Sequence, residues 1–104
     1  MKKNPITPSS QSRPPNPATQ TRTVTLEYPD ASAEMVYVAG TFNNWHPRST
    51  PMVPFGHGRW IKEISLAPGT YEYLFVVDGK WVPDRQARDS VPNPYGGFNS
   101  VLKV

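Results

Sequence analysis

Residues 70–82 read TYEYLFVVDGKWV and carry the strongest local signal in the chain. Tyr71, Tyr73, Phe75 and Val77 fall on one face of an extended segment and alternate with Glu72, Leu74 and Val76 on the other, the two-residue period of a strand. Asp78 and Gly79 then form the dipeptide favoured in a two-residue type I′ turn, because both positions need positive φ. Lys80 to Val82 should therefore return antiparallel to the strand. A hairpin of this kind fixes the class of the fold, provided the flanking segments are also extended.

They read that way. Upstream, Arg59 to Leu66 (RWIKEISL) places Trp60, Ile64 and Leu66 on one side with Lys62, and Pro68 and Gly69 supply the turn into Thr70. Further back, Arg22 to Tyr28 (RTVTLEY) alternates Val24, Leu26 and Tyr28 against Thr23, Thr25 and Glu27, and Glu34 to Ala39 (EMVYVA) is a short β-prone run that Gly40 ends. Between Gly40 and Gly58, Pro47, Pro51 and Pro54 forbid a long ladder or helix. Downstream, a loop with Pro83, Pro92 and Pro94 runs to Gly96 and Gly97, and Phe98 to Val104 (FNSVLKV) forms the last strand. No window sustains a helical period. Six or seven short strands with closely spaced turns predict an all-β, immunoglobulin-like β-sandwich, with an open five-stranded barrel as the structural alternative.

Residues 1–21, MKKNPITPSSQSRPPNPATQT, are different in kind. Five prolines among Ser, Thr, Asn and Gln leave too little apolar surface to offset ordering entropy, which predicts a disordered tail or linker ahead of a module over 22–104. The net charge of +3 is also concentrated there. Lys2, Lys3, Arg13 and Arg22 lie in residues 1–22 without a single acid, and the seven remaining basic residues face eight acids over 23–104. The module itself is not basic, which argues against a phosphate-tracking groove for nucleic acid. No stretch approaches the roughly 18 apolar residues of a membrane span, and no apolar segment follows the basic N-terminus as in a signal peptide. The expectation is a soluble, cytoplasmic protein.

Little in the sequence supports catalysis. Cysteine is absent, so a thiolate nucleophile and a thiolate metal site are both excluded. His46 and His57 stand eleven residues apart in one loop without ligand spacing, and most of the eight acids fall in turns or on solvent faces. The expectation is no enzyme, no metal and no cofactor.

The aromatic residues say more. Three Trp, five Tyr and four Phe, all within 22–104, exceed what so small a core can hide. Trp60 sits at an inward strand position. Trp45 and Trp81 each follow a turn sequence, FNN and DGK, at the ends of strands where sandwich loops gather. A sugar ring has an apolar face that stacks on indole and a hydroxyl rim that amides such as Asn43, Asn44, Asn93 and Asn99 can read. In FNN, however, the asparagines also suit left-handed turn positions where they bond their own backbone.

Taken in order, GTFNNW, GHGRW, LAPGTYEYLFVVDGKW and PNPYGGFNSVLKV resemble carbohydrate-binding module family 48. That family includes the glycogen-binding domain of AMP-activated protein kinase beta subunits and related early-set domains of isoamylases and branching enzymes. The resemblance covers about residues 22–104. It implies an early-set, immunoglobulin-like sandwich that binds α-1,4-linked glucans such as glycogen, starch or maltooligosaccharides without catalysis, alongside a kinase or glycogen-metabolising partner. It further implies that Trp45 and Trp81 form the sugar platform, that Tyr95 stands where a leucine reaches into the curved glucan, and that Asn99 hydrogen-bonds sugar hydroxyls. Two positions depart from the pattern: Leu74 replaces a sugar-bonding lysine, and Gly97 replaces a threonine. An early-set interaction or spacer module that has lost strong glucan binding is the alternative reading.

Overall fold

The structure, a computed structural model, describes residues 20–104. The expected tail, residues 1–21, lies outside the described residues except for its last two. Eight strands follow one another: β1 (Arg22–Pro29), β2 (Val36–Gly40), β3 (Val53–Pro54), β4 (Arg59–Leu66), β5 (Thr70–Val77), β6 (Lys80–Val82), β7 (Asp89–Pro92) and β8 (Phe98–Lys103). They form two antiparallel sheets, one ordered β1-β4-β3 and the other β2-β5-β8-β7 with β6 also paired to β5. The chain is a two-sheet sandwich of the expected all-β, early-set kind.

Alternation along the strands builds the core. Tyr73, Phe75 and Val77 of β5 turn inward with Val36 and Val38 of β2, and meet Leu26 and Trp60 from the other sheet together with Met52. Phe75 is fully buried, with Tyr28 at 5.0 Å and Tyr73 at 5.8 Å between ring centroids. Trp60 takes the core role expected of it. Its indole N–H donates to the Asp30 carbonyl at 3.1 Å, so burial leaves no orphan donor. Tyr73 likewise donates its hydroxyl to the Asp84 carboxylate at 2.6 Å, and burial, helped by that bond, pushes the phenol well above its ordinary range.

Two strands escape sequence pattern. β3 is only two residues long, and β7 is a short edge strand that ends in Pro92, tolerable there because an edge residue need not donate on its outer side. β2 begins two residues later than expected, since the N–H groups of Glu34 and Met35 go to the Asp78 carboxylate and not to a ladder. The proline-bearing segment after Gly40 is partly ordered as well. It makes one 3-10 turn over Thr41–Asn43, then runs back beside β2, where the Val38 N–H donates to the Thr50 carbonyl and the Met52 N–H to the Val36 carbonyl. The chain then crosses to the other sheet as β3.

Candidate functional site

Because Tyr73, Phe75 and Val77 turn inward, Glu72, Leu74 and Val76 must face outward, and pairing register carries that face across the sheet. Val76 stands opposite Trp81 on one side and Tyr37 on the other. Leu74 stands opposite Ala39, Glu72 opposite Val101, and Val91 opposite Asn99, two positions from Val101. Trp81 and Asn99 therefore share one outer face, on two strands that pair with the same edge of β5, with Leu74 and Glu72 on β5 beside them. Trp81 is 46% exposed, a large value for an indole in a sheet.

The hairpin that presents Trp81 is pinned at its tip. Asp78 and Gly79 have φ of 50° and 86°, the left-handed pair a type I′ turn requires. The Asp78 carboxylate also accepts the N–H groups of Glu34 at 3.0 Å and Met35 at 2.8 Å, so this residue does more than make a turn. Beside Trp81 lies a hollow of about 570 Å³ lined by Tyr37, Pro47, Arg48 and Val76 among others.

The FNNW turn is built by its first asparagine. Asn43 accepts the Gly40 N–H through Oδ1 at 3.0 Å and donates through Nδ2 to the Val38 carbonyl at 3.1 Å and the Thr50 hydroxyl at 2.9 Å. These bonds commit its amide to the turn itself. Gly40 is required by close approach: a Cβ there would lie 2.5 Å from the Glu72 carbonyl oxygen. Asn44 and Trp45 then both adopt left-handed backbone, with φ of 56° and 60°. For Asn this is easy, but for Trp it costs on the order of 1 kcal/mol or more. A Trp45 N–H bond to the Gly40 carbonyl at 2.8 Å holds the strained turn. Trp45 is half-buried, and the residues just beyond it, Pro47 and Arg48, wall the hollow that Trp81 also lines. Trp45 itself does not line it.

Tyr95 stands at the tip of the loop between β7 and β8 and is 92% exposed. Asn93 ties that loop down, accepting the Tyr95 and Gly97 N–H groups at 3.0 and 3.1 Å through Oδ1. Its Nδ2 donates to the Asn99 Oδ1 at 3.1 Å, and the Asn99 Nδ2 donates to Glu72 Oε1 at 3.1 Å. A single chain of amides thus runs from the Tyr95 loop to the middle of the sheet. Asn99 is only 9% exposed, and with one N–H and one lone pair of its amide used, one of each is left without a partner among the described residues. No sequence motif singles out Glu72. Its outward position was readable from the alternation of β5, but its link to Asn99 depends on the long-range register of β5 with β8.

The family described as the glycogen recognition site of AMP-activated protein kinase matches residues 22–104. The chain belongs to this family. Among its relatives, the beta-2 subunit of 5'-AMP-activated protein kinase from Mus musculus is 31% identical over 88 residues, covering 85% of this chain and 31% of the subunit. The beta-1 subunit from Sus scrofa is 32% identical over 69 residues, covering 66% of this chain and 53% of that sequence. An amyloplastic phosphoglucan phosphatase of Castanea sativa is 28% identical over 83 residues, 80% of this chain and 22% of the phosphatase. The chain spans about a third of the length of the kinase beta-2 relatives it matches. All four sequence motifs lie within the matched span. Among the described residues no helix is long and apolar enough to cross a membrane, and no group of three or more His, Asp or Glu is placed to hold a metal ion.

Proposed function

We propose that this module binds α-1,4-linked glucans, such as glycogen, starch or maltooligosaccharides, without catalysis. Trp81 and Trp45 supply the stacking surfaces, Tyr95 closes on the curve of the glucan, and Asn99 orients a sugar hydroxyl. The observation that carries this reading is the outer face of the β2-β5-β8-β7 sheet, where an indole 46% exposed shares its surface with an amide chain leading to a tyrosine 92% exposed. Exposed aromatics next to fixed amides suit a neutral ligand with apolar faces and a polar rim. Each stacking aromatic contributes roughly 1.5 to 3 kcal/mol of contact burial, and lost motional freedom offsets much of the sum. The dissociation constant should fall at about 10 μM to 1 mM, with avidity gained on a branched polymer.

A second reading, an early-set interaction or spacer module, draws on two features: Leu74 offers no hydrogen bond where the family pattern has a lysine, and Asn99 is buried and partly engaged. Tryptophan fluorescence separates the two. Trp60 is buried in the core, so a change on titration with maltoheptaose but not cellohexaose reports Trp45 or Trp81. No change up to about 10 mM overturns the glucan reading, since a site near 1 mM would be saturated there. As a glucan-binding module it would work beside a kinase or a glycogen-metabolising enzyme, a reading supported by relatives that are a kinase beta subunit and a phosphoglucan phosphatase.

A further inference from the structure

Glu72 occupies the middle of the candidate face and links its two halves. Its backbone N–H donates to the hydroxyl of Thr41, the first residue of the turn that leads to Trp45, at 3.2 Å. Its side chain receives the Asn99 amide at 3.1 Å through Oε1, so the carboxylate is held in place at the end of the chain that runs through Asn93 to the Tyr95 loop. Among the described residues Glu72 takes part in no ion pair, and Oε2 accepts no hydrogen bond. A carboxylate that is oriented by an amide, half-buried and unneutralised, retains strong acceptor capacity directed by its neighbours. The adjacent outward residue along β5, Leu74, has none.

We propose that Glu72 is a further carbohydrate-contacting residue, whose carboxylate accepts the vicinal hydroxyl pair of one glucose unit beside Asn99. Two hydroxyls on neighbouring carbons present two O–H donors at a spacing that the two oxygens of one carboxylate can accept together. The remaining Asn99 N–H then donates to one of the same hydroxyl oxygens, so acceptor and donor read a diol from both sides. This assignment rests on the glucan-binding reading above and moves the polar load of the site from the missing lysine to an anion. The ligand class it favours is an unsubstituted neutral glucan, because a phosphate ester placed on that diol would meet a like charge.

Isothermal titration calorimetry on the full chain tests it, with cyclic maltoheptaose and its 2,3-di-O-methyl and 6-O-methyl derivatives as probes. Glu72→Ala should weaken binding of the unmodified ring about tenfold, the usual effect of losing hydrogen bonds to a charged group, and Glu72→Gln about threefold. Methylation at the 2,3 positions should penalise the wild type more than Glu72→Ala, while 6-O-methylation should penalise both alike. A wild type that binds while Glu72→Ala stays within twofold of it overturns the assignment and leaves the glucan reading intact. So does an equal 2,3-methylation penalty in wild type and variant, which would mean that Glu72 acts only by bracing Asn99. A wild type that binds none of the rings overturns both readings together.

Discussion

Replacing Trp81 with alanine isolates the stacking surface. An indole side chain presents about 250 Å², so 46% exposure leaves roughly 115 Å² open on the outer face. A glucose unit stacked on one face of the ring would cover about half of this, and at about 25 cal/mol per Å² the indole's share is roughly 1.5 kcal/mol, with a similar area lost from the sugar. After the entropic offset the net loss on truncation should be 1.5 to 2.5 kcal/mol, a ten- to seventyfold rise in Kd. The buried half of the ring also leans on the sheet, so some stability is lost. Calorimetric titration with maltoheptaose should be run well below the melting temperature of the variant, with a native near-UV spectrum from Trp60 as the folding check. Trp81→Phe should recover part of the affinity, since a smaller ring still stacks. If folded Trp81→Ala binds maltoheptaose as tightly as the wild type, the outer face of this sheet is not the sugar platform.

Two other perturbations probe the supports of the site. Asn43→Ala withdraws three hydrogen bonds and strands the N–H of Gly40 and the carbonyl of Val38, so urea unfolding should show a loss of about 2 kcal/mol; affinity for maltoheptaose should fall with it if Trp45 works from that turn. The buried Tyr73 gives an alkaline signature. Its phenol stays protonated in the fold while the unfolded chain ionises near pH 10, so its contribution to stability is full below that pH and falls above it by about 1.4 kcal/mol per pH unit; Tyr73→Phe should make the slope in denaturant titrations at pH 10 to 11 shallower by about that amount, leaving the share of Tyr28, whose phenol is also pushed up by burial.

Much of this was readable in the sequence wherever the signal is local. The alternation of Thr70 to Val77 and the Asp78-Gly79 turn determine which side chains of β5 and β6 meet, and the structure follows them residue by residue. Trp60 could be told from the other two indoles by its place among Ile64 and Leu66. What stayed hidden depends on partners far along the chain. β3 is too short to hold a period, and β7 is legible only once β8 is beside it. Asn99 reads as an open amide until the register of β5 with β8 brings Glu72, 27 residues away, against it. The Asx turn that Asn93 forms ahead of Tyr95 was within reach, since an asparagine followed by Pro, Tyr and two glycines is a loop signal of its own.

The clasp at Asp78 also bears on the order in which the molecule assembles. A hairpin with a two-residue turn can zip within microseconds, so β5 and β6 need no help to find each other. Its tip carboxylate, however, waits for the N–H groups of Glu34 and Met35, which lie 44 and 43 residues away in the chain. Closing that long loop comes later, when the entropy of a non-local contact has been met by β2 docking on β5. The surface that carries Trp81 can thus be extended early and become rigid late. A chain stalled before β2 docks would hold a formed hairpin with a loosely aimed indole, and slow recovery of sugar affinity behind recovery of strand content on refolding would be its kinetic mark.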